Sequence, residues 1–331
     1  MISKIFLLTF LLFIFYMNSR SQSVYDNSSP LAHTFSIVAR DSVTGELGVA
    51  VQSHWFNVGA IVGWGEAGVG VIATQSFVNP SFGLRGLYML KQGKTPQQVV
   101  DELIASDSGR DFRQLAVCDA KGNTAAYTGK NCITYAGHIF ENDYSVQANL
   151  MINDKVWPAM SKAFKETKGP LAERLVAALE AGQEAGGDIR GKQSASIMVY
   201  TGKPTGKAWE DKLIDLRVED SNEPIPELKR LLKVQRAYEH MNNGDLATEK
   251  NDMKLAMDEY NAAMQMFPDN LEMKYWTAVT LANNNKVDDA LKLFKEVFEK
   301  DKNWYDLTPR LPKSGLLTVS DADLKRILDL K

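Results

Sequence analysis

Polar and apolar positions alternate along residues 34–41 (TFSIVARD), turn through DSVTGE, and resume at residues 47–53 (LGVAVQS). A stretch rich in Gly, Val, Ile and Ala follows at residues 59–76 (GAIVGWGEAGVGVIATQS). Such runs, separated by short turns, predict buried strands. The period then changes. PSFGLRGLYMLKQG and TPQQVVDELIAS have helical spacing, the second with Thr95 as its cap and Pro96 at its first position. RQLAVCDAKGNTAAYTG predicts a hairpin turning near Lys121 and Gly122, and YSVQANLMI a further strand. Helices are expected over about 154–166 and 170–185, before QSASIMVYTG and DKLIDLRVED return to strand. Strands and paired helices thus come in blocks, which suits a layered α+β domain with antiparallel sheets rather than alternating βαβ units.

Beyond EDSNEPIPELKR the chain turns to Lys, Glu, Asn, Met and Ala with helical periodicity. Here the sequence matches itself at an offset of 34 positions: Ala256 with Ala290, Tyr260 with Phe294, Ala263 with Val297. AMDEYNAAMQMFPDN and ALKLFKEVFEKDKNW read as second helices of tetratricopeptide-like units, with Pro268 as a terminator. About two such units fit, fewer than a free-standing solenoid needs, so packing against the first domain or dimerisation is expected.

The N-terminus has a different logic. Lys4 precedes an apolar run over residues 5–17, followed by small residues Ser19 and Ser21. The run is too short to span a bilayer comfortably and predicts a cleaved signal peptide over residues 1–21, hence an exported, periplasmic or secreted protein. Residues 22–33 read as a loose polar linker, 34–220 as the α+β domain and 224–331 as the helical domain. Cleavage after Ser21 removes Lys4 and Arg20 and no acid, moving the net charge from −3 to about −5. No basic cluster points to nucleic acid. Export leaves a Cys118–Cys132 disulfide chemically open, although direct hairpin pairing sets Cys118 opposite about Ala125.

Familiar catalytic motifs are missing. His33, His54, His138 and His240 have no metal-ligand spacing, and neither a GxSxG elbow nor a Walker loop occurs. Gly63, Gly65 and Gly68 match GxGxxG but lead into a strand, so the dinucleotide context is absent. What remains are polar residues at strand ends. Thr34 opens the first buried strand; if proteolysis freed its amine, with an ordinary pKa of about 7.7–8.0, hydroxyl nucleophile and base would share one residue. A β-branched residue opening a strand also needs no such explanation. Asp188 and Arg190, in the turn of GGDIRGKQSAS, suit holding a carboxylate or bracing their loop, and Gln193 and Ser194 begin the strand that follows. Ser53, Gln75, Asn79 and Asn149 offer neutral donors for an oxyanion or an amide substrate, or satisfy strand-end backbone.

TFSIVARDSVTGELGVAVQS, AGVGVIATQSFVNPSFGLRGLYML, AAYTGKNC, YSVQANLM and GPLAERLVAALEAGQEAGGDIRGKQSAS together resemble one bacterial family, the Ntn-hydrolase-like domain of unknown function 1028. The resemblance covers about residues 33–202. It implies a four-layer αββα sandwich, and in the wider Ntn superfamily the residue opening the first strand is the nucleophile, a place Thr34 occupies. One departure stands out: proteasome-like members carry a lysine on the third strand, whereas Glu66 is the only charged residue in GAIVGWGEAGVG.

The expectation is therefore an exported amidohydrolase acting on a small amide or peptide-like bond, without metal or organic cofactor. Thr34 attacks; Ser53, Gln75, Asn79 or Asn149 stabilises the oxyanion; Asp188 and Arg190 orient substrate or brace the amine, with Gln193 and Ser194 nearby. The helical domain would dock a protein partner or a second copy. The alternative is a non-catalytic binding module on the same scaffold.

Overall fold

The computed structural model describes residues 31–330; the signal peptide expected over residues 1–21 and most of the expected linker lie outside the described residues. The chain divides into two compact units, the first ending at Lys229 and the second beginning at Arg230. In the first, strands β1 (Leu31–Ala32), β2 (Thr34–Arg40), β3 (Leu47–Ser53), β4 (Gly63–Glu66) and β5 (Gly70–Phe77) lead to helices α1 (Ser81–Lys91) and α2 (Pro96–Ala105). Strands β6 (Arg113–Asp119), β7 (Thr124–Thr128), β8 (Gly137–Glu141) and β9 (Tyr144–Ala148) precede α3 (Val156–Glu166) and α4 (Leu171–Glu184). Strands β10 (Ser194–Tyr200) and β11 (Lys212–Val218) end the mixed α+β part. One antiparallel sheet runs β1-β5-β6-β7 with β4 also on β5; the other runs β11-β10-β3-β2-β9-β8.

Alternation decides which side chains meet. Val38, Val49 and Val51 of one sheet face Val71, Ala73, Ala116 and Cys118 of the other. The intervening Ile72, Leu115 and Val117 pack with Phe82, Leu87, Val99 and Leu103 of α1 and α2. On the second sheet, α4 packs on β2, β3 and β10, and α3 on β8 and β9. Both faces of β2 and β3 are therefore covered, which is why their sequences read as almost wholly buried runs. Gly48 admits α4 closely, since a Cβ there would stand 2.5 Å from Leu175 Cδ1.

Gln52 breaks the pattern. It lies beside Phe35 and Ala195 on the helix-covered face, fully buried, and neither amide atom has a protein partner. Burying an unmatched amide costs about 1–3 kcal/mol. Gln52→Leu, of similar volume, is expected to stabilise the fold by about 1–2 kcal/mol in urea unfolding; a loss of stability would show that the amide is satisfied in solution.

Three features differ from the sequence expectation. Residues 31–33, read as the end of a loose linker, are ordered: Leu31 pairs with Phe77 and Ala32 with Ser76, and His33 is fully buried. Strand β8 carries no strand signal in the sequence, because GHIFE is half-exposed and lacks a buried face. Cys118 stands opposite Thr124, one position from the expected partner, and both cysteines are free.

The second unit is helical. Helix α5 (Pro224–Glu249) crosses the division, and α6 (Met253–Met266), α7 (Leu271–Asn283), α8 (Val287–Lys300) and shorter helices to Leu328 complete it. All six residues of the 34-position match are fully buried. Gly244 makes room for Tyr260, whose ring would lie 2.4 Å from a Cβ at that position. Asn270 caps α7 by accepting from the Met273 amide at 3.2 Å.

Candidate active site

The space between the sheets is apolar along most of its length and polar at one end. Positions on β2, β3, β5, β6 and β9 that continue the inward alternation are there Thr34, Ser53, Gln75, Gln114 and Gln147, with Ser36 among them and Asn149 just past β9. All seven are fully buried. Such a cluster survives only if its members bond one another, and they do. Ser36 donates to Gln75 Oε1 at 2.6 Å and accepts from Gln147 Nε2 at 2.6 Å. Gln75 Nε2 donates to Gln114 Oε1 at 2.6 Å and to the Thr34 carbonyl at 3.2 Å.

The peptide bond between His33 and Thr34 is the centre of this cluster. The chain leaves β1 in one sheet and enters β2 in the other across that bond. The His33 carbonyl accepts from Ser53 Oγ at 2.5 Å and from Arg190 Nη2 at 2.7 Å. Thr34 Oγ1 folds back and donates to the Ala32 carbonyl at 2.8 Å. Arg190 is aimed by Asp188, whose buried carboxylate takes Nη2 at 2.7 Å, Nε at 3.1 Å and the Arg190 amide at 2.9 Å. A bidentate pair of this kind fixes the guanidinium plane. The carbonyl thus faces one hydroxyl and one cation, an arrangement that stabilises negative charge developing on its oxygen.

His33 is held as firmly. Its Nδ1 lies 2.7 Å from Asn149 Oδ1, and its ring meets Phe77 edge-on at 5.7 Å. The amide orientations follow from backbone anchors. Gln114 Nε2 donates to the carbonyls of Ala148 (2.9 Å) and Gly137 (3.2 Å), so Oε1 is left to accept from Asn149 Nδ2 at 2.9 Å. Asn149 Oδ1 is then the acceptor and His33 Nδ1 carries the proton. Burial pushes the His33 pKa down, against the Asn149 bond, which raises it; Arg190 lowers it and Asp188 raises it, and the net direction is down. A base whose pKa falls on folding binds fewer protons than in the unfolded chain, so its contribution is intact above about pH 6.5 and is lost below it. The uncut chain should therefore lose up to about 1.4 kcal/mol per pH unit from His33 on acidification below pH 6.5. His33→Phe should reduce the slope of melting temperature against pH over that range, and an unchanged slope would count against it. His138, also lowered by burial, supplies a remaining slope of the same sign.

Backbone strain gathers at the same place. Ser76 and Leu150, next to Gln75 and Asn149, have φ of 72° and 59°. Non-glycine residues in the left-handed region cost about 1 kcal/mol or more, and such positions concentrate at working sites.

Of the residues singled out in the sequence, Thr34, Ser53, Gln75, Asn149, Asp188 and Arg190 come together. Gln75 and Asn149 donate to the Thr34 carbonyl at 3.2 and 3.4 Å rather than to the His33 carbonyl, so in this arrangement they hold the start of β2. Asn79, Gln193 and Ser194 are elsewhere engaged. Asn79 accepts from the amide and hydroxyl of Ser81 at the start of α1 and donates to Asp107. Gln193, just before β10, donates to Asp220 at 3.1 Å. Ser194 braces the loop after β3, donating to the Trp55 carbonyl and accepting from the Val58 amide. Glu66 pairs with Lys91 at 2.6 Å; the cation at the Thr34 peptide is Arg190. The sequence pattern does not single out Gln114 or His33 as site residues. The usable signal for Gln114 was a lone amide on the inward face of an otherwise apolar strand, directly across from Gln75. Among the described residues no group of three or more His, Cys, Asp or Glu is placed to hold a metal ion, and no helix is long and apolar enough to cross a membrane.

Two facing antiparallel sheets, with a buried polar cluster at the end where the chain passes between them, define a class of mixed α+β proteins. Within it, residues 34–228 match the model of the family of unknown function DUF1028, and the chain belongs to that family. It is similar to the crystal structure of protein SPO2555 from Silicibacter pomeroyi, also of the DUF1028 family, at 32% identity and a TM-score of 0.56, covering 61% of this chain and 85% of that one. No curated protein matches the chain.

Proposed function

We propose that the chain is an exported amidohydrolase of the Ntn type, built as an αββα sandwich, whose nucleophile is Thr34 freed by cleavage of its own His33–Thr34 bond. The carrying observation is the His33 carbonyl, gripped by Ser53 and Arg190 beside the Thr34 hydroxyl. Attack of Thr34 Oγ1 on the His33 carbonyl carbon closes a five-membered ring. The C–N bond then breaks and the hydroxyl proton passes to the departing nitrogen, leaving an ester on Oγ1 and a free α-amine. Water hydrolyses the ester, restores the hydroxyl and releases a leader ending in the carboxyl group of His33.

The same parts then serve a substrate. The Thr34 amine takes the hydroxyl proton, Oγ1 attacks an amide carbonyl held by Ser53 and Arg190, and the proton leaves with the amine product. Water completes the turnover. Nothing in the sequence of steps requires a metal or organic cofactor. The helical unit, read as tetratricopeptide-like, would dock a protein partner or a second copy.

The test is a screen of the self-cleaved chain against small amides, cyclic ureides and short peptides, reading amine release before and after brief cyanate treatment. Cyanate carbamylates α-amines, so activity that disappears with modification of Thr34 supports the mechanism. Hydrolysis unaffected by a fully carbamylated Thr34 would rule it out.

A further inference from the structure

The ester formed in self-cleavage is chemically an acyl-enzyme, and its acyl group is the leader ending in His33. Whatever seat holds residues 31–33 therefore holds an acyl group in the position that any later substrate must take. We propose, building on the amidohydrolase reading, that this seat is the acyl subsite and that it selects peptides whose cleaved carbonyl belongs to a histidine, bound as an added strand on β5.

Three features of the seat carry this. First, the backbone of Leu31 and Ala32 pairs antiparallel with Phe77 and Ser76, while β4 covers β5 only from Gly70 to Ala73. Departure of the leader frees the Ser76–Phe77 edge for another extended chain, and strand addition is a general way of holding peptides by their main chain. Second, the His33 ring is fully enclosed, against Phe77, which is itself edge-on to Phe112 at 5.5 Å. Third, the enclosure has one polar demand. Asn149 Oδ1, fixed as an acceptor through Gln114, takes the Nδ1 proton, whereas Nε2 is buried without a partner. A flat ring with a single donor at that position satisfies the seat. Phenylalanine leaves the Asn149 oxygen unmatched, and alanine leaves the ring space unfilled as well. Sites built to bond a polar group discriminate strongly against analogues lacking it.

The experiment uses the full chain after self-cleavage. Leu-Ala-His, Leu-Ala-Phe and Leu-Ala-Ala, each as an aminocoumarin amide, are compared for kcat/KM, and the three free acids for their effect on the melting temperature. The expected result is at least a tenfold preference for the histidine peptide over both others, and a rise in melting temperature with Leu-Ala-His alone. In the precursor, His33→Ala should slow self-cleavage at least tenfold. A chain that cleaves itself and hydrolyses other small amides, yet treats the three peptides alike, overturns the histidine subsite while leaving the amidohydrolase intact. A chain that never cleaves at Thr34 overturns both.

Discussion

Thr34→Ala is expected to yield a folded chain that retains its leader and hydrolyses no amide. The substitution removes one hydroxyl, which among the described residues bonds the Ala32 carbonyl, so the cost in stability should be about 1 kcal/mol. The cost in chemistry is far larger. Removing a nucleophile that acts with its base as one unit lowers turnover by roughly 10⁶-fold. Intact mass gives the first readout: the variant keeps the mass of the whole leader that ends in His33, expected as residues 22–33 after signal cleavage, whereas the parent loses it. Thr34→Ser should restore cleavage, because a hydroxyl and an adjacent amine remain. A Thr34→Ala chain cleaved at the same bond would mean that another protease makes the cut and that Thr34 is not required for it.

Arg190→Ala is the second large effect, and it acts on two quantities. The guanidinium is one of two donors on the His33 oxygen, and loss of one oxyanion donor slows chemistry by about 10²–10³. It is also the ion-pair partner of Asp188, whose side chain is fully buried. Leaving that carboxylate uncompensated should destabilise the fold by about 3 kcal/mol, the low end for a broken buried pair because the arginine keeps some contact with solvent. Ser53→Ala separates the two. It removes the other donor without stranding a charge, so cleavage should slow by a similar factor while stability falls by only about 1 kcal/mol. Equal cleavage rates in parent, Arg190→Ala and Ser53→Ala would remove the carbonyl clamp from the mechanism.

Most of the architecture is legible in the sequence because burial has a period. Ile37, Val38, Val49 and Ala50 recur in short runs bounded by turns, and the strands form where those runs lie. The match between Ala256, Tyr260, Ala263 and Ala290, Phe294, Val297 marks buried helix faces for the same reason. The candidate site is only half legible. Polar residues at strand ends look alike in one dimension: Asn79 and Asn149 both follow a strand, yet one organises the start of a helix and the other faces the His33 ring. Only the register of two sheets separates them. Residues 31–33 carry no periodic signal at all, since a two-residue strand is too short to have one. Their order comes from partners distant in the chain, among them Phe77, Asn149 and Arg190.

The N-terminal residue of the protein, purified after expression of the full sequence, decides the matter most directly. Sequencing by Edman degradation should return Thr-Phe-Ser-Ile-Val, starting at Thr34. A first residue near Gln22, in protein that nonetheless turns over an amide, would contradict a catalyst whose base is the amine of Thr34.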